Sequence, residues 1–227
     1  MHRQNALCTV ERSAPRWAGV RVLEIAHRLN DQCIAMLAHM AASQATTIDC
    51  NPVTRLSELW TQVNAAARVL AAHCPVLLVD LKFNSADWWG RAAQRSANGT
   101  CQMLAHSFFP EAWASAMLRE VLIEAWSAAR SMPYAVGLIF GMTSSVCATI
   151  ANLKIPDIDR IALDHACDLR PRWSDNAHFW RALLNASIAA DDDALADIHL
   201  YCLQLLVSSL DPQHQETYST INRRWGS

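Results

Sequence analysis

Helix breakers are scarce in this 227-residue chain: glycine occurs 6 times and proline 8 times, beside many Ala and Leu. That scarcity points to an all-α, multi-helix protein. Long apolar runs are also missing. Arg, Asp, His or Asn interrupts most candidates, and no membrane span is expected. The first residues, MHRQNALCTVERSAPRW, lack the apolar middle of a secretory signal. A cytoplasmic location without membrane contact is the expectation. Charge of one sign is lacking too. A net charge of −2 gives no global basic field toward nucleic acid. Basic residues are only locally dense, at Arg3, Arg12, Arg16, Arg21 and Arg28, and again at Arg223 and Arg224.

None of the eight cysteines forms a CxxC pair. Several, such as Cys33 and Cys202, fall inside apolar helical segments, the usage of buried thiols in a reducing compartment. His73 beside Cys74 and His165 near Cys167 have no second close pair, so neither a metal nor another cofactor is expected. Ser144-Ser145 and His165 could be drawn as nucleophile and base. With no third orienting group and no glycine elbow, the chain does not read as an enzyme.

What is present centres on residues 138–169. Gly141 breaks one apolar segment, where the turn wants positive φ. Thr143-Ser144-Ser145 opens a second segment carrying Val146, Ala148, Ile150 and Leu153 to one side. Pro156 opens a third, with Ile158, Ile161, Ala162 and Ala166 as its face. Three short helices follow, since Ser, Thr and Pro suit helix starts. The first two fit a helix-turn-helix spacing. Its second helix would offer Thr143, Ser144, Ser145, Thr149 and Asn152 to DNA, with Lys154 as its single cation. A helix that grips phosphates usually carries more.

With 52% hydrophobic residues, a sizeable core can form around these helices. Apolar spacing predicts a long helix from Trp17 to about Ala42, through Val20, Leu23, Ile25, Ala26, Leu29, Cys33, Met36 and Leu37. A second runs from Thr54 or Arg55 to His73. The run VLLVDLKF (76–83) is β-prone but single, so an extended connector or a buried helical turn is expected. Ser85 should cap a short helix through Trp88 and Trp89, and Asn98-Gly99 should turn into another. Further helices are predicted over Ala112–Arg130 and from Asp175 or Asn176 through Leu184. The last starts at Asp191-Asp192-Asp193, whose acids suit the helix dipole, and runs to about Leu210.

The two halves are alike. Residues 81–96 parallel 169–187: a capping cluster, an aromatic pair ending in Trp, then Arg and two apolar residues. MAASQATTI (40–48) parallels MTSSVCATI (142–150). A divergent tandem duplication follows, with repeats at 14–107 and 110–212 packed as a pseudo-dimer, and tails at 1–13 and 213–227. The aromatic pairs Trp88-Trp89 and Phe179-Trp180 are expected to pack the halves together.

The second half resembles FlhD, the all-helical subunit of the bacterial flagellar master regulator. The resemblance runs in order through AVGLIFGM (135–142), CATIANLKIP (147–156), DIDRIALDHACDLRPRW (157–173) and ALADIHLYCLQLLVSSL (194–210). It covers roughly 119–210 as a pattern with few identities. In the first half, LEIAHRL (23–29) and AMLAHM (35–40) resemble the family's opening segments more faintly. The family's acidic start to the helix after the glycine is here Thr-Ser-Ser. The resemblance implies a transcriptional activator of flagellar genes, binding promoter DNA together with an FlhC-like partner. The fused halves would stand in for the family's dimer; whether the chain self-associates again is open. Family members can form an interchain disulfide at the cysteine that Cys167 is matched to, and its first-half counterpart would be Cys74, so a Cys74–Cys167 bridge is implied. The main rival is a non-catalytic helical adaptor that binds protein and never touches DNA.

Overall fold

The computed structural model describes residues 17–43, 55–94 and 107–210. Ten α-helices and one two-stranded ribbon are present among them. The first half contributes α1 (Trp17–Ala42), α2 (Ser57–Trp60), α3 (Ala65–Ala72), β1 (Val79–Asp80) and α4 (Ala86–Gln94). The second contributes α5 (Glu111–Ser131), α6 (Pro133–Phe140), α7 (Ser144–Ala151), α8 (Ile155–Asp164), β2 (Arg170–Pro171), α9 (Ala177–Ala189) and α10 (Asp192–Leu210). The chain is thus all-α. The tails, the Asn98-Gly99 turn, residues 44–48 of the first repeat motif, and Cys8, Cys50 and Cys101 lie outside the described residues.

Local chemistry sets most boundaries. Gly141 ends α6 in the left-handed region at φ +65°, and Thr143 caps α7 by accepting from the Val146 N–H. Pro156 sits in the first turn of α8, where Asp157 accepts from the Lys154 N–H at 3.1 Å. Asn176 Oδ1 accepts from the Phe179 N–H at 3.0 Å to start α9, and Asp191 Oδ1 accepts from the Ala194 N–H at 3.0 Å to start α10.

Three expectations need correction. The single helix from 54 to 73 is broken into α2 and α3. Asn64 is extended there, and its Oδ1 accepts from the Ala67 N–H at 2.9 Å, so a new helix starts inside an unbroken apolar period. The β-prone run does form a strand: Val79 pairs with Pro171 and Asp80 with Arg170, antiparallel, and the partner comes from the other half. The faces also differ at single positions. Ala148 and Val20 are exposed, whereas Val22 and Ile34 are buried.

One hydrophobic core runs through both halves, from Val22 and Leu29 on α1 to Leu183 and Leu206 on α9 and α10. α1 packs on α3 as α5 packs on α8. Across the halves, α3 meets α9 and α8 meets α4, while α2 meets α9 and α7 meets α4. The ribbon lies between. On either side of it the local geometry recurs at one spacing. β1 leads through Lys82 at φ +50° to Ser85, whose hydroxyl accepts from the Trp88 N–H. β2 leads through Trp173 at φ +52° to the Asn176 cap. Trp88-Trp89 and Phe179-Trp180 follow these caps at the same spacing. On that spacing Leu78, not Leu81, corresponds to Leu169, which removes the length difference between the two copies. The aromatic pairs also work across the seam: Trp88 packs edge-on against His165 with ring centroids 4.8 Å apart, and Trp180 lies 6.1 Å from Trp60.

Two buried polar side chains hold the ribbon in place, Asn30 from within the first half and Arg172 from across the seam. Asn30 on α1 is fully buried. Its amide donates to Val76 O at 2.9 Å, with longer contacts to Ala72 O and Cys74 O, and its Oδ1 accepts from the Leu78 N–H at 2.7 Å. It thereby satisfies the backbone groups that a buried, non-helical entry to β1 would otherwise leave unpaired. Arg172 is buried as well. Its Nε donates to Leu77 O at 2.9 Å, and its Nη2 donates to Phe140 O at 2.8 Å and to Asp80 Oδ1 at 3.3 Å. Burial lowers its pKa, opposed by the Asp80 carboxylate.

Candidate interface around the second short helix

The residues singled out for DNA contact gather on α7 and its flanks. α6 and α7 meet at an angle of 117°, within the range of a helix-turn-helix pair. Hydroxyl groups here are partly committed to the fold. Thr143 Oγ1 caps α7 and lies 3.1 Å from Ser145 Oγ, and Thr149 Oγ1 donates to Ser145 O at 2.9 Å. Ser144, Ser145 and Lys154 are exposed. Lys154 stands beyond the end of α7, at the start of α8, and its backbone N–H is held by Asp157. These residues run from the N-cap of α7 to the start of α8, and α7 itself, SSVCATIA, carries no cation.

Beside α7 lies a cleft of about 490 Å³. Pro133, Tyr134, Gly137 and Leu138 on α6 form one wall, and Ser144, Cys147, Ala148 and Ala151 on α7 form the other. Ala129, Met142 and Leu210 complete it. Tyr134 is 94% exposed and Leu138 53%. Among the described residues, no charged side chain lines the cleft. An apolar cleft rimmed by hydroxyls suits a protein side chain better than a phosphate. No single helix among the described residues is long and apolar enough to cross a membrane.

The seam holds two polar clusters that the spacing of residues did not reveal. In one, Lys82 Nζ contacts Asp168 Oδ1 at 2.9 Å, and His165 Nδ1 lies 3.2 Å from Asp168 Oδ2. The His165 hydrogen bond, aided by Lys82, holds the Asp168 carboxyl down at about 2. His165 is thus engaged with Asp168 and Trp88, and Ser145 with Thr143. In the other, His27 of α1 and His73 after α3 lie with ring centroids 4.8 Å apart, and His199 of α10 joins them electrostatically. The Nε2 atoms of His27 and His199 are buried, and among the described residues neither has a hydrogen-bond partner. Burial first, then repulsion from the other imidazoles, lowers His27 to about 4, and the same causes lower His199.

These shifts have a sign. Below pH 6.5 the unfolded chain takes up protons at His27 and His199 that the folded chain refuses. Stability is therefore full above pH 6.5 and falls steadily as pH drops toward 4. Urea denaturation at pH 7.5 and pH 5 is expected to show the loss, and His27→Gln is expected to flatten the slope. An unchanged slope in that variant would place the acid sensitivity elsewhere.

Cys74 is not bridged to Cys167. Its sulfur lies against Cys202 Sγ instead, at 3.3 Å, while Cys167 stays half-buried in the single-turn 3-10 helix Ala166–Asp168. The spacing that relates the seams also puts Cys74 at the position of His165, so the two cysteines are not structural counterparts. Among the described residues, no group of three or more His, Cys, Asp or Glu side chains is arranged to hold a metal ion. Asn30, Arg172 and the His27 cluster all join segments far apart in the chain, which no local pattern announces. The chain matches no family model, no curated protein and no solved structure.

Proposed function

We propose that this chain is a cytoplasmic transcriptional regulator of the FlhD type. It acts as a single-chain counterpart of a dimer and reaches promoter DNA of flagellar genes through an FlhC-like partner. The observation that carries the reading is the seam between the halves. A strand from each half pairs antiparallel, and each half sends an aromatic ring into the other, Trp88 to His165 and Trp180 to Trp60. On the shared spacing Val79 corresponds to Arg170 and Asp80 to Pro171, so the ribbon pairing is unchanged when the halves exchange, as fusing two symmetry-related subunits produces. The absence of cations on α7, beside an apolar cleft, supports a division of labour in which the partner supplies most phosphate contacts.

The same cleft favours a second reading, a helical adaptor that binds protein alone. Co-purification with the FlhC-type protein of the same genome, followed by a promoter shift assay, separates the two. The regulator gives a complex that shifts DNA only when both proteins are present, with affinity falling steeply as salt rises. A complex that never shifts DNA leaves the adaptor. No complex at all overturns the regulator reading.

A further inference from the structure

Where α10 of the second half crosses the end of α3 in the first, two sulfurs meet. Cys74 follows α3 and leads toward β1, and Cys202 lies midway along α10. Both side chains are fully buried, and their Sγ atoms are 3.3 Å apart. Cys202 Sγ is also 3.2 Å from His199 O. The Arg172 guanidinium acts electrostatically on both thiols from the ribbon side. Neither sulfur is within reach by sequence proximity, since 128 positions separate them. Their contact is made entirely by the docking of α10.

We infer that Cys74 and Cys202 form a redox-modification site, in which a two-electron oxidation joins them as a disulfide and locks α10 onto the first half. A disulfide holds its sulfurs at about 2.04 Å, so the pair must close by roughly 1.3 Å, which side-chain rotation can supply. Each cysteine loses its S–H hydrogen and one S–S bond forms. Two electrons and two protons pass to a small oxidant: a low-molecular-weight disulfide becomes two thiols, or the N=N bond of diamide becomes a hydrazine. The contact with Cys74 and burial push the Cys202 thiol up, and both sulfurs are closed to an oxidant while α10 is packed. Reaction therefore begins when α10 lifts locally, with one thiol forming an adduct that the other resolves on return.

The test uses the full chain with diamide as oxidant. The sample is then denatured, alkylated, digested without reductant and mapped by mass spectrometry. The expected product joins the peptides of Cys74 and Cys202, two hydrogens lighter than their sum. Closing so long a loop should raise Tm by roughly 10 °C, reversibly on adding a thiol reductant. In Cys202→Ala the joined product and the oxidant-induced rise in Tm are both lost. Recovery of Cys74 and Cys202 as alkylated thiols after oxidation overturns the inference, as does pairing of either with a different cysteine. Mapping is done on the unsubstituted chain, so poor folding of the variant leaves the test intact.

Discussion

Arg172→Ala is expected to destabilise the chain by about 3–5 kcal/mol and to lower Tm by roughly 10 °C. The guanidinium ties three places together: Leu77 before β1, Phe140 at the end of α6 and Asp80 on β1. Asp80 is about one-third exposed, so water can take over its carboxylate when Arg172 is gone. The larger loss comes from the Leu77 and Phe140 carbonyls, which accept from a side chain that is 94% buried and would lose those partners. Truncation also leaves a void where the guanidinium packed. Arg172→Lys keeps the charge but loses the fork that serves several acceptors at once, so it should recover only part of the stability. Urea denaturation with an unchanged m-value gives the number. A cost below about 1 kcal/mol for Arg172→Ala would mean that water replaces the side chain easily.

The second large effect is expected at Gly141. A methyl group there would sit 2.5 Å from Arg172 Nη1 and 2.5 Å from Leu206 Cδ1, on a backbone at φ +65°. The left-handed conformation costs about 1–2 kcal/mol for alanine. Overpacking adds about 1–3 kcal/mol. Gly141→Ala should therefore lose roughly 2–5 kcal/mol, measured by the same denaturation. Gly141 and Arg172 are in contact, so their effects should not add. In the Arg172→Ala background the clash with Nη1 disappears, and the cost of Gly141→Ala should shrink toward the backbone strain plus the Leu206 contact. Full additivity in that cycle would sink the packing explanation.

The sequence conveyed what local chemistry decides. α1 starts and ends where its apolar spacing does, and Gly141, Thr143, Pro156, Asn176 and Asp191 mark helix ends with signals only a few residues wide. The burial of Ile158, Ile161, Ala162 and Ala166 follows from the same 3.6-residue period. The break at Asn64 escaped because an amphipathic period continued on both sides of it, and periodicity outweighed one capping residue. The ribbon escaped because each strand is only two residues long and its partner lies in the other half. Asn30, Arg172 and Cys202 look like ordinary helix or turn residues in the sequence. Their significance comes from partners at Val76, Phe140 and Cys74, which only the tertiary fold supplies. At α7 the sequence located the candidate residues but not the apolar cleft beside them, since α6, α7 and Leu210 build that cleft together.

The ribbon also has a consequence in time. Asp80 pairs with Arg170, so β1 is synthesised about ninety residues before its partner. At a translation rate of roughly 5–20 residues per second, the first half waits on the order of 5–20 s with that edge open. During the wait, Trp60 lacks the ring of Trp180 and the Leu77 carbonyl lacks the guanidinium of Arg172. The first half emerges from the ribosome as an incomplete surface that the remainder of its own chain later covers. Its folding is bound to the speed of its own synthesis.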